Sequence, residues 1–365
     1  MEPETSSVSS VTRRHPIRIL AATAVLLLFA VMLSVLSIFQ ARLPTSTLRQ
    51  NGFLGADPYA VYACAGNGLA SADGTRISLY TSSGICAAQE TVYMSSPVCV
   101  GSSLLAVFYD AEASGIHTLY PDGTHRYTDT EGGVVFADAN ETGLITVIWE
   151  NGGNRRTVMV YDTDLTPLFR WDPGVSVPLA GRTSGEDLLC VSSLTREGSL
   201  LHYFHIDIPE EQYRIPFPGE ILEDFDFLSD GSLAAVSDER LILSDTKGNL
   251  LSSTQFGDYR PEVWCLSGSQ AVVCSVSGSD STIISVGTDG SILGSAPAPF
   301  HVKALSVQDE ILVLFDRGES TLYDRNLSEI VNYQPDPAAE HVFLTPKGMA
   351  FFTGPAGVTL ADFGR

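Results

Sequence analysis

Short apolar runs separated by tight turns dominate residues 225–257 and set the pattern for most of the chain. An Asp-Gly pair, Asp230-Gly231, and a Lys-Gly pair, Lys247-Gly248, mark two of the turns, and such pairs favour antiparallel hairpins. One sheet of about 40 residues cannot bury both of its faces alone, so this unit requires neighbours. The apolar runs predict four strands, at 224–228, 233–237, 241–244 and 250–255.

Related units recur along the chain at spacings of about 35 to 45 residues, and such a repeat with four strands per unit is typical of β-propeller blades. No helical period persists after the N-terminal segment. We therefore predict an all-β fold, a propeller of about eight four-stranded blades, with seven as the alternative if one weak unit is an elaborated loop. The units are 59–94, 98–132, 134–174, 175–219, 224–257, 262–300, 302–335 and 341–364.

The last unit contains only three predicted strands before the chain ends. Propellers commonly close their ring by letting an N-terminal strand complete the last blade, because closure removes a free sheet edge. We expect residues 48–56 to supply this strand.

Residues 19–39 form a run of 21 residues without a charge, which matches the roughly 30 Å of a bilayer's hydrocarbon core. A cleaved signal peptide is the competing interpretation, but its apolar region would be shorter, about 7 to 15 residues, and Phe39-Gln40-Ala41 is a poor cleavage site. The pattern favours an uncleaved transmembrane helix.

Arg13, Arg14 and Arg18 precede the apolar run, and this bias favours a cytoplasmic N-terminus. We predict a single-pass protein of the cell membrane, which contacts the lipid bilayer through this helix and carries its propeller outside. The predicted organisation is a cytoplasmic tail at 1–18, the transmembrane helix at 19–39, a linker with the ring-closing strand at 40–58, and the extracytoplasmic propeller at 59–365.

The net charge is strongly negative, with 43 acidic and 21 basic residues. Only two of the acidic and five of the basic residues precede Asn51, so the remainder carries about −25. Because phosphate binding requires clustered Lys and Arg, we expect no nucleic-acid partner. Acidic surfaces also serve solubility.

Six cysteines occur without a C-x-x-C pair, which excludes zinc-ribbon and thioredoxin-type spacing. We expect buried free thiols, although a disulfide in an oxidising exterior is the alternative. Cys265 and Cys274 flank a predicted hairpin, and Cys86 and Cys99 end one unit and begin the next. The six are Cys64, Cys86, Cys99, Cys190, Cys265 and Cys274.

Candidate chemistry is sparse. Four Asp-Gly pairs, at Asp73, Asp122, Asp230 and Asp289, lack the further oxygen ligands of a calcium loop and are explained by turn chemistry. His202 and His205 share a strand, but their spacing places them on opposite faces and prevents joint metal ligation. The other five histidines, His15, His117, His125, His301 and His341, are scattered singly.

Two carboxylate pairs, Asp162 with Asp164 and Asp224 with Asp226, would each share one face of an extended strand. Glycosidases use such pairs, but solvent-exposed strands also favour Asp. No nucleophile-elbow, P-loop or dinucleotide motif occurs. The sequence therefore assigns no catalytic, cofactor-binding or metal-binding residue, and no cofactor.

Loops on a rigid scaffold are the usual location of binding sites. Residues 275–281 and 150–154 are rich in Gly, Ser or Asn and are expected on the rim, the second of them beside the basic pair Arg155-Arg156.

The repeated order of apolar strand, Asp-Gly turn and apolar strand, behind one N-terminal helix, resembles quinoprotein-like and WD40-like propellers. In particular, the chain resembles an uncharacterised clostridial (Gram-positive) family of single-pass, membrane-anchored β-propeller proteins. No Trp-Asp signature closes the repeats, and Trp149, Trp171 and Trp264 are the three tryptophans.

Two functions are consistent with this architecture. The first is a binding or scaffolding module for another envelope protein or an extracellular ligand. The second is an extracytoplasmic enzyme, a glycan hydrolase or quinoprotein, with its site in the central channel. Carboxylates or a histidine converging in the channel would favour the enzyme, whereas a channel of Ser, Gly and aliphatic side chains would exclude it.

Overall fold

The computed structural model describes residues 60–153, 155–185, 187–346 and 348–362. These residues form seven four-stranded antiparallel sheets and one three-stranded sheet, which confirms the predicted all-β propeller with eight blades. The predicted cytoplasmic tail, transmembrane helix and ring-closing strand lie outside the described residues. Within those residues, no helix has the length and apolar character needed to span a membrane.

Each blade is a meander of consecutive strands. Blade 1 contains β1 (Val61–Ala65), β2 (Gly68–Ala72), β3 (Arg76–Tyr80) and β4 (Cys86–Thr91). Blade 2 contains β5 (Pro97–Gly101), β6 (Ala106–Asp110), β7 (Ile116–Leu119) and β8 (His125–Thr128). Blade 3 contains β9 (Gly133–Ala139), β10 (Ile145–Asn151), β11 (Arg155–Tyr161) and β12 (Pro167–Trp171). Blade 4 contains β13 (Val177–Thr183), β14 (Leu188–Thr195), β15 (Gly198–His205) and β16 (Ile208–Pro218).

The second half of the ring continues the same pattern. Blade 5 contains β17 (Leu222–Phe227), β18 (Leu233–Ser237), β19 (Arg240–Ser244) and β20 (Leu250–Gln255). Blade 6 contains β21 (Arg260–Ser267), β22 (Gln270–Ser277), β23 (Asp280–Gly287) and β24 (Ile292–Pro297). Blade 7 contains β25 (Ala304–Gln308), β26 (Ile311–Asp316), β27 (Glu319–Asp324) and β28 (Glu329–Tyr333). Blade 8 contains β29 (His341–Leu344), β30 (Met349–Gly354) and β31 (Gly357–Asp362).

The first strands of successive blades lie side by side, and β29 returns to contact β1. They form a closed ring around a central channel. Because every blade is an antiparallel meander, its turns alternate between two ends of the propeller. We call the end with the first-to-second and third-to-fourth strand turns the turn face. The opposite end, with the second-to-third turns and the links between blades, is the connection face.

The core lies between blades, since each neighbouring pair of blades shares one apolar cluster. The cluster between blades 2 and 3, around Val147 and Trp149, has thirteen buried members. The one between blades 8 and 1 has three among the described residues, Leu69, Phe351 and Val358. In the same part of the chain β31 pairs with β30 alone. The closure of the ring is therefore its least buried interface within the described residues.

Candidate functional site

Four charged side chains from three neighbouring blades meet in the central channel. Asp138 lies near the end of β9, Arg182 near the end of β13, and Asp224 and Asp226 on β17. Alternation along an extended strand directs Asp224 and Asp226 to the same side, while Phe225 between them is fully buried between blades 4 and 5. The sequence predicted this shared face for Asp224 and Asp226. We call these four side chains the channel cluster.

Arg182 holds two of the three carboxylates. Its guanidinium Nη1 forms an ion pair with Asp138, and Nη2 lies 3.6 Å from Oδ1 of Asp224. Nε donates a hydrogen bond to the carbonyl oxygen of Phe225 at 3.3 Å. The indole N–H of Trp264, on the first strand of blade 6, donates to Oδ2 of Asp224 at 3.1 Å. The positions of Arg182 and Asp224 are thus set by several contacts at once.

Asp226 is the carboxylate that has no ion pair among the described residues. Its Oδ1 accepts the backbone N–H of Phe227 at 2.7 Å. Burial, with a further contribution from the charges of Asp138 and Asp224, raises the pKa of Asp226 to about 7, although Arg182 acts in the opposite direction. Burial likewise raises the pKa of Asp138. Ionised carboxylates are therefore costly in this part of the channel.

One guanidinium faces three carboxylates, so the channel cluster is negative whenever Asp138 and Asp224 are ionised. A second cation beside Asp226 would lower that cost, because opposite charges favour the ionised form of a buried acid. Among the described residues the three carboxylates do not come close enough together to ligate one metal ion jointly. An organic cation, such as an ammonium or guanidinium group, would supply this charge without joint ligation by the three carboxylates.

The turn face around this channel is itself acidic. Its described turns contain two cations, Lys247 and Arg325. Backbone and side-chain hydrogen bonds lower the pKa of several of the acids, including Asp245 and Asp289, which stay ionised at neutral pH. The carboxylates in these turns are Asp122, Glu141, Asp162, Asp164, Asp187, Asp207, Asp230, Asp245, Asp289, Asp309 and Glu310.

The Asp-Gly pairs are turns, as predicted. Oδ1 of Asp230 accepts the backbone N–H of Ser232 at 2.9 Å, and Gly231 has a φ of 84°, which Gly adopts without strain. The second predicted carboxylate pair also belongs to a turn. Asp162 accepts the backbone N–H of Asp164 at 2.8 Å, and Asp164 forms an ion pair with Arg126 at 2.8 Å. These carboxylates organise the backbone and do not form a two-acid site.

His202 takes part in a buried relay that sequence reasoning missed. Its Nε2 lies 2.7 Å from Oγ of Ser193, and its Nδ1 lies 3.0 Å from Oε1 of Glu211. This order of Ser, His and carboxylate resembles a hydrolase triad. However, Ser193 has no exposed surface and the ring of Trp171 packs on His202 at 4.8 Å between centroids. A substrate cannot reach the hydroxyl, so the relay satisfies polar groups inside the blade interface.

His205 points away from His202, which confirms their predicted placement on opposite faces. It lies beside Asp187 and Asp207 at the turn face. His117 and His125 also meet, with Nδ1 and Nε2 3.0 Å apart.

The six cysteines are free thiols. Cys190 and Cys274 are buried as expected, but Cys86 is exposed at the start of an outer strand. The predicted neighbours Cys265 and Cys274 lie on adjacent strands without being register partners, since Cys265 pairs with Val272.

Both rim loops lie on the connection face. The loop at 275–281 lines a cavity of about 620 Å³ together with Tyr259, Phe300 and His301. Beside the other loop, Arg156 on β11 forms an ion pair with Glu150 at 3.1 Å. Further cavities of about 390, 250 and 350 Å³ also open on the connection face.

Several solved propellers are similar to this chain in structure. Sqt1 from Saccharomyces cerevisiae has a TM-score of 0.62 and 12% sequence identity, with 85% of this chain and 96% of that chain covered. The C-terminal WD40 domain of Sif2 has a TM-score of 0.61 and 11% identity, with 86% and 97% covered. AztD from Citrobacter koseri has a TM-score of 0.53 and 14% identity, with 76% and 86% covered. At sequence identities this low, the structural similarity demonstrates a shared fold and nothing more.

A search of curated proteins finds no significant match to the sequence. One family does match, over residues 56–353, and it is a family of unknown function, DUF5711. Since the match covers most of the chain, the protein belongs to the DUF5711 family.

Proposed function

We propose that this protein is a binding module that captures a basic segment of another envelope protein at the turn face of its propeller. A lysine or arginine side chain of the partner enters the channel and pairs with Asp226. The observation that carries this proposal is the channel cluster, in which one guanidinium faces three carboxylates and Asp226 has no ion pair among the described residues.

A polypeptide is favoured over a small amine because the negative charge extends far beyond the channel. Carboxylates occupy turns of blades 2 to 7, from Asp122 to Glu310. Such a field attracts a basic partner and accelerates its association. The propeller fold, shared with WD40 domains, is compatible with a scaffolding role because its rigid ring presents many turns on one face.

The location proposed for this module is the outer side of the cell membrane. The uncharged run at 19–39 and the arginines before it support an anchor with a cytoplasmic N-terminus. External protease is expected to remove the propeller from intact spheroplasts. Full protection of the propeller would contradict this topology.

The partner test is a crosslinking pull-down from cells that express the full-length protein. We expect the wild type to enrich a partner with a basic extracellular segment, and the double variant Asp224→Asn/Asp226→Asn to lose it. Asp258, an exposed carboxylate near the connection face, provides the matched control as Asp258→Asn. Equal recovery of the same partner by the double variant would argue against capture in the channel.

An extracytoplasmic hydrolase is the second candidate, because carboxylates do converge in the channel, the condition that the sequence set for an enzyme. Asp226, with a pKa of about 7, could donate a proton as a general acid. Arg182 contacts both Asp138 and Asp224, so neither carboxylate is left as a free base or nucleophile. This disfavours a hydrolase. Turnover of a glycan panel that disappears in Asp226→Asn would favour the enzyme over the binding module.

A further inference from the structure

Three metal-ligating side chains meet on the turn face of blade 4, one from the loop between β13 and β14 and two from the β15–β16 hairpin. Asp187 directly precedes β14, His205 ends β15, and Asp207 lies in the two-residue turn before β16. One donor atom of each lies within 4.8 Å of the other two. The two aspartates are exposed and His205 is half-buried. The three side chains are therefore accessible from solvent.

The backbone holds this arrangement in place. The N–H of Ile206 donates to the carbonyl oxygen of Asp187 at 2.9 Å, which joins the loop to the turn. His205 is the register partner of Leu188, the residue that follows Asp187. At the base of the loop between β13 and β14, the N–H of Ser184 donates to the carbonyl oxygen of Leu188 at 2.8 Å. The three donors are thus brought together by the strand pairing itself.

The three side chains approach one another without bonding to each other. In the part of the chain that the structure describes, none of them has a side-chain hydrogen bond, and no nitrogen of His205 lies within the 4.0 Å of an ion pair with Asp187 or Asp207. Two carboxylates this close repel each other unless a cation lies between them. Metal bonds of about 2.0–2.2 Å place two ligand atoms roughly 3–4.4 Å apart around one ion, so small side-chain movements would complete the site.

We propose that Asp187, His205 and Asp207 bind a divalent transition-metal ion of the zinc class. One imidazole with two carboxylates suits zinc and its neighbours, whereas calcium and magnesium prefer ligands that are all oxygen. Three protein ligands leave at least one coordination position for water or for a donor from a partner. The metal ion would offset the charges of these two carboxylates on an otherwise acidic face.

Calorimetric titration of the full-length, tag-free protein with zinc chloride tests the site. We expect His205→Ala and Asp187→Asn each to remove one equivalent of bound zinc or to lower the zinc affinity by at least about tenfold. A tenfold loss is the smallest expected, because even a residue that only orients a metal ligand can produce it. Asn is chosen at position 187 because Asp187 has a φ of 80°, which Asn also tolerates. Magnesium chloride is expected to give no comparable binding.

His301→Ala is the matched control, since His301 lies on the connection face, where it contacts Glu262 at 3.2 Å. It should keep the wild-type stoichiometry. Circular dichroism melting of each variant establishes whether it is folded. If His205→Ala does not fold, Asp187→Asn still tests the site. The proposal is overturned if wild-type protein does not bind zinc, or if a folded Asp187→Asn binds it with unchanged stoichiometry and affinity.

Discussion

Replacing Asp226 by Asn is expected to remove a large part of the pH dependence of stability. The pKa of Asp226 is about 7 in the folded protein and about 3.9 in an unfolded chain. A carboxyl group whose pKa is raised by folding makes its full contribution to stability when the pH is below its pKa in the unfolded chain. This contribution is lost as the pH rises through the pKa of the folded protein, about 7. About three pKa units correspond to at most about 4 kcal/mol, reduced to the extent that solvent reaches the partly exposed side chain.

Urea denaturation of the full-length protein at about pH 5 and about pH 8 measures this effect. Because pH 5 already lies above the unfolded pKa, the wild type should lose at most about 3 kcal/mol of unfolding free energy through Asp226 between the two conditions, whereas Asp226→Asn should lose clearly less. Asn keeps the size of the side chain and can still accept the backbone N–H of Phe227. Asp258→Asn should retain the wild-type dependence. If Asp226→Asn and the wild type show the same change with pH, the raised pKa assigned to Asp226 is wrong.

Three further changes probe the fold. Ser193→Ala should cost about 1–3 kcal/mol in a denaturation experiment, because it leaves a buried nitrogen of His202 without its partner; an unchanged midpoint would contradict a structural relay. Gly101→Ala should strongly lower the melting temperature, since a Cβ there would lie 1.8 Å from a carbonyl oxygen of blade 1, whereas Gly152→Ala, with open space around it, should have little effect. Deleting residues 48–56 should destabilise the ring if this segment completes blade 8, and a melting temperature equal to wild type would refute that role.

Much of the fold is predictable because the signals are local. Alternating apolar positions and Gly-containing turns place strands without reference to distant residues, and the predicted strands 233–237 and 250–255 coincide with β18 and β20. The first strand of that blade was predicted two residues late at its start, 224 instead of 222. The exposed Glu223, which directly follows Leu222, interrupts the apolar pattern at the start of this strand.

The channel cluster was harder to foresee because its members come from different blades. Asp138, Arg182 and Asp226 are separated by 44 residues each, close to one repeat of the ring. Superposing the repeats on their first strands would have brought these charges together, whereas scanning for local motifs could not. The grouping of His205 with Asp187 and Asp207 was harder still to predict from the sequence, because their proximity depends on the exact register of β14 with β15.

Titration of the full-length protein with a short oligolysine peptide tests whether the channel cluster captures a cationic side chain. We expect salt-sensitive binding that is absent for an oligoglutamate peptide and weakened at least about tenfold, or about 1.4 kcal/mol, by Asp224→Asn/Asp226→Asn. A matched change on the turn face outside the channel, Asp245→Asn/Asp289→Asn, should weaken it much less. Equal affinity for the wild type and the channel variant would contradict capture of a cation by the channel cluster.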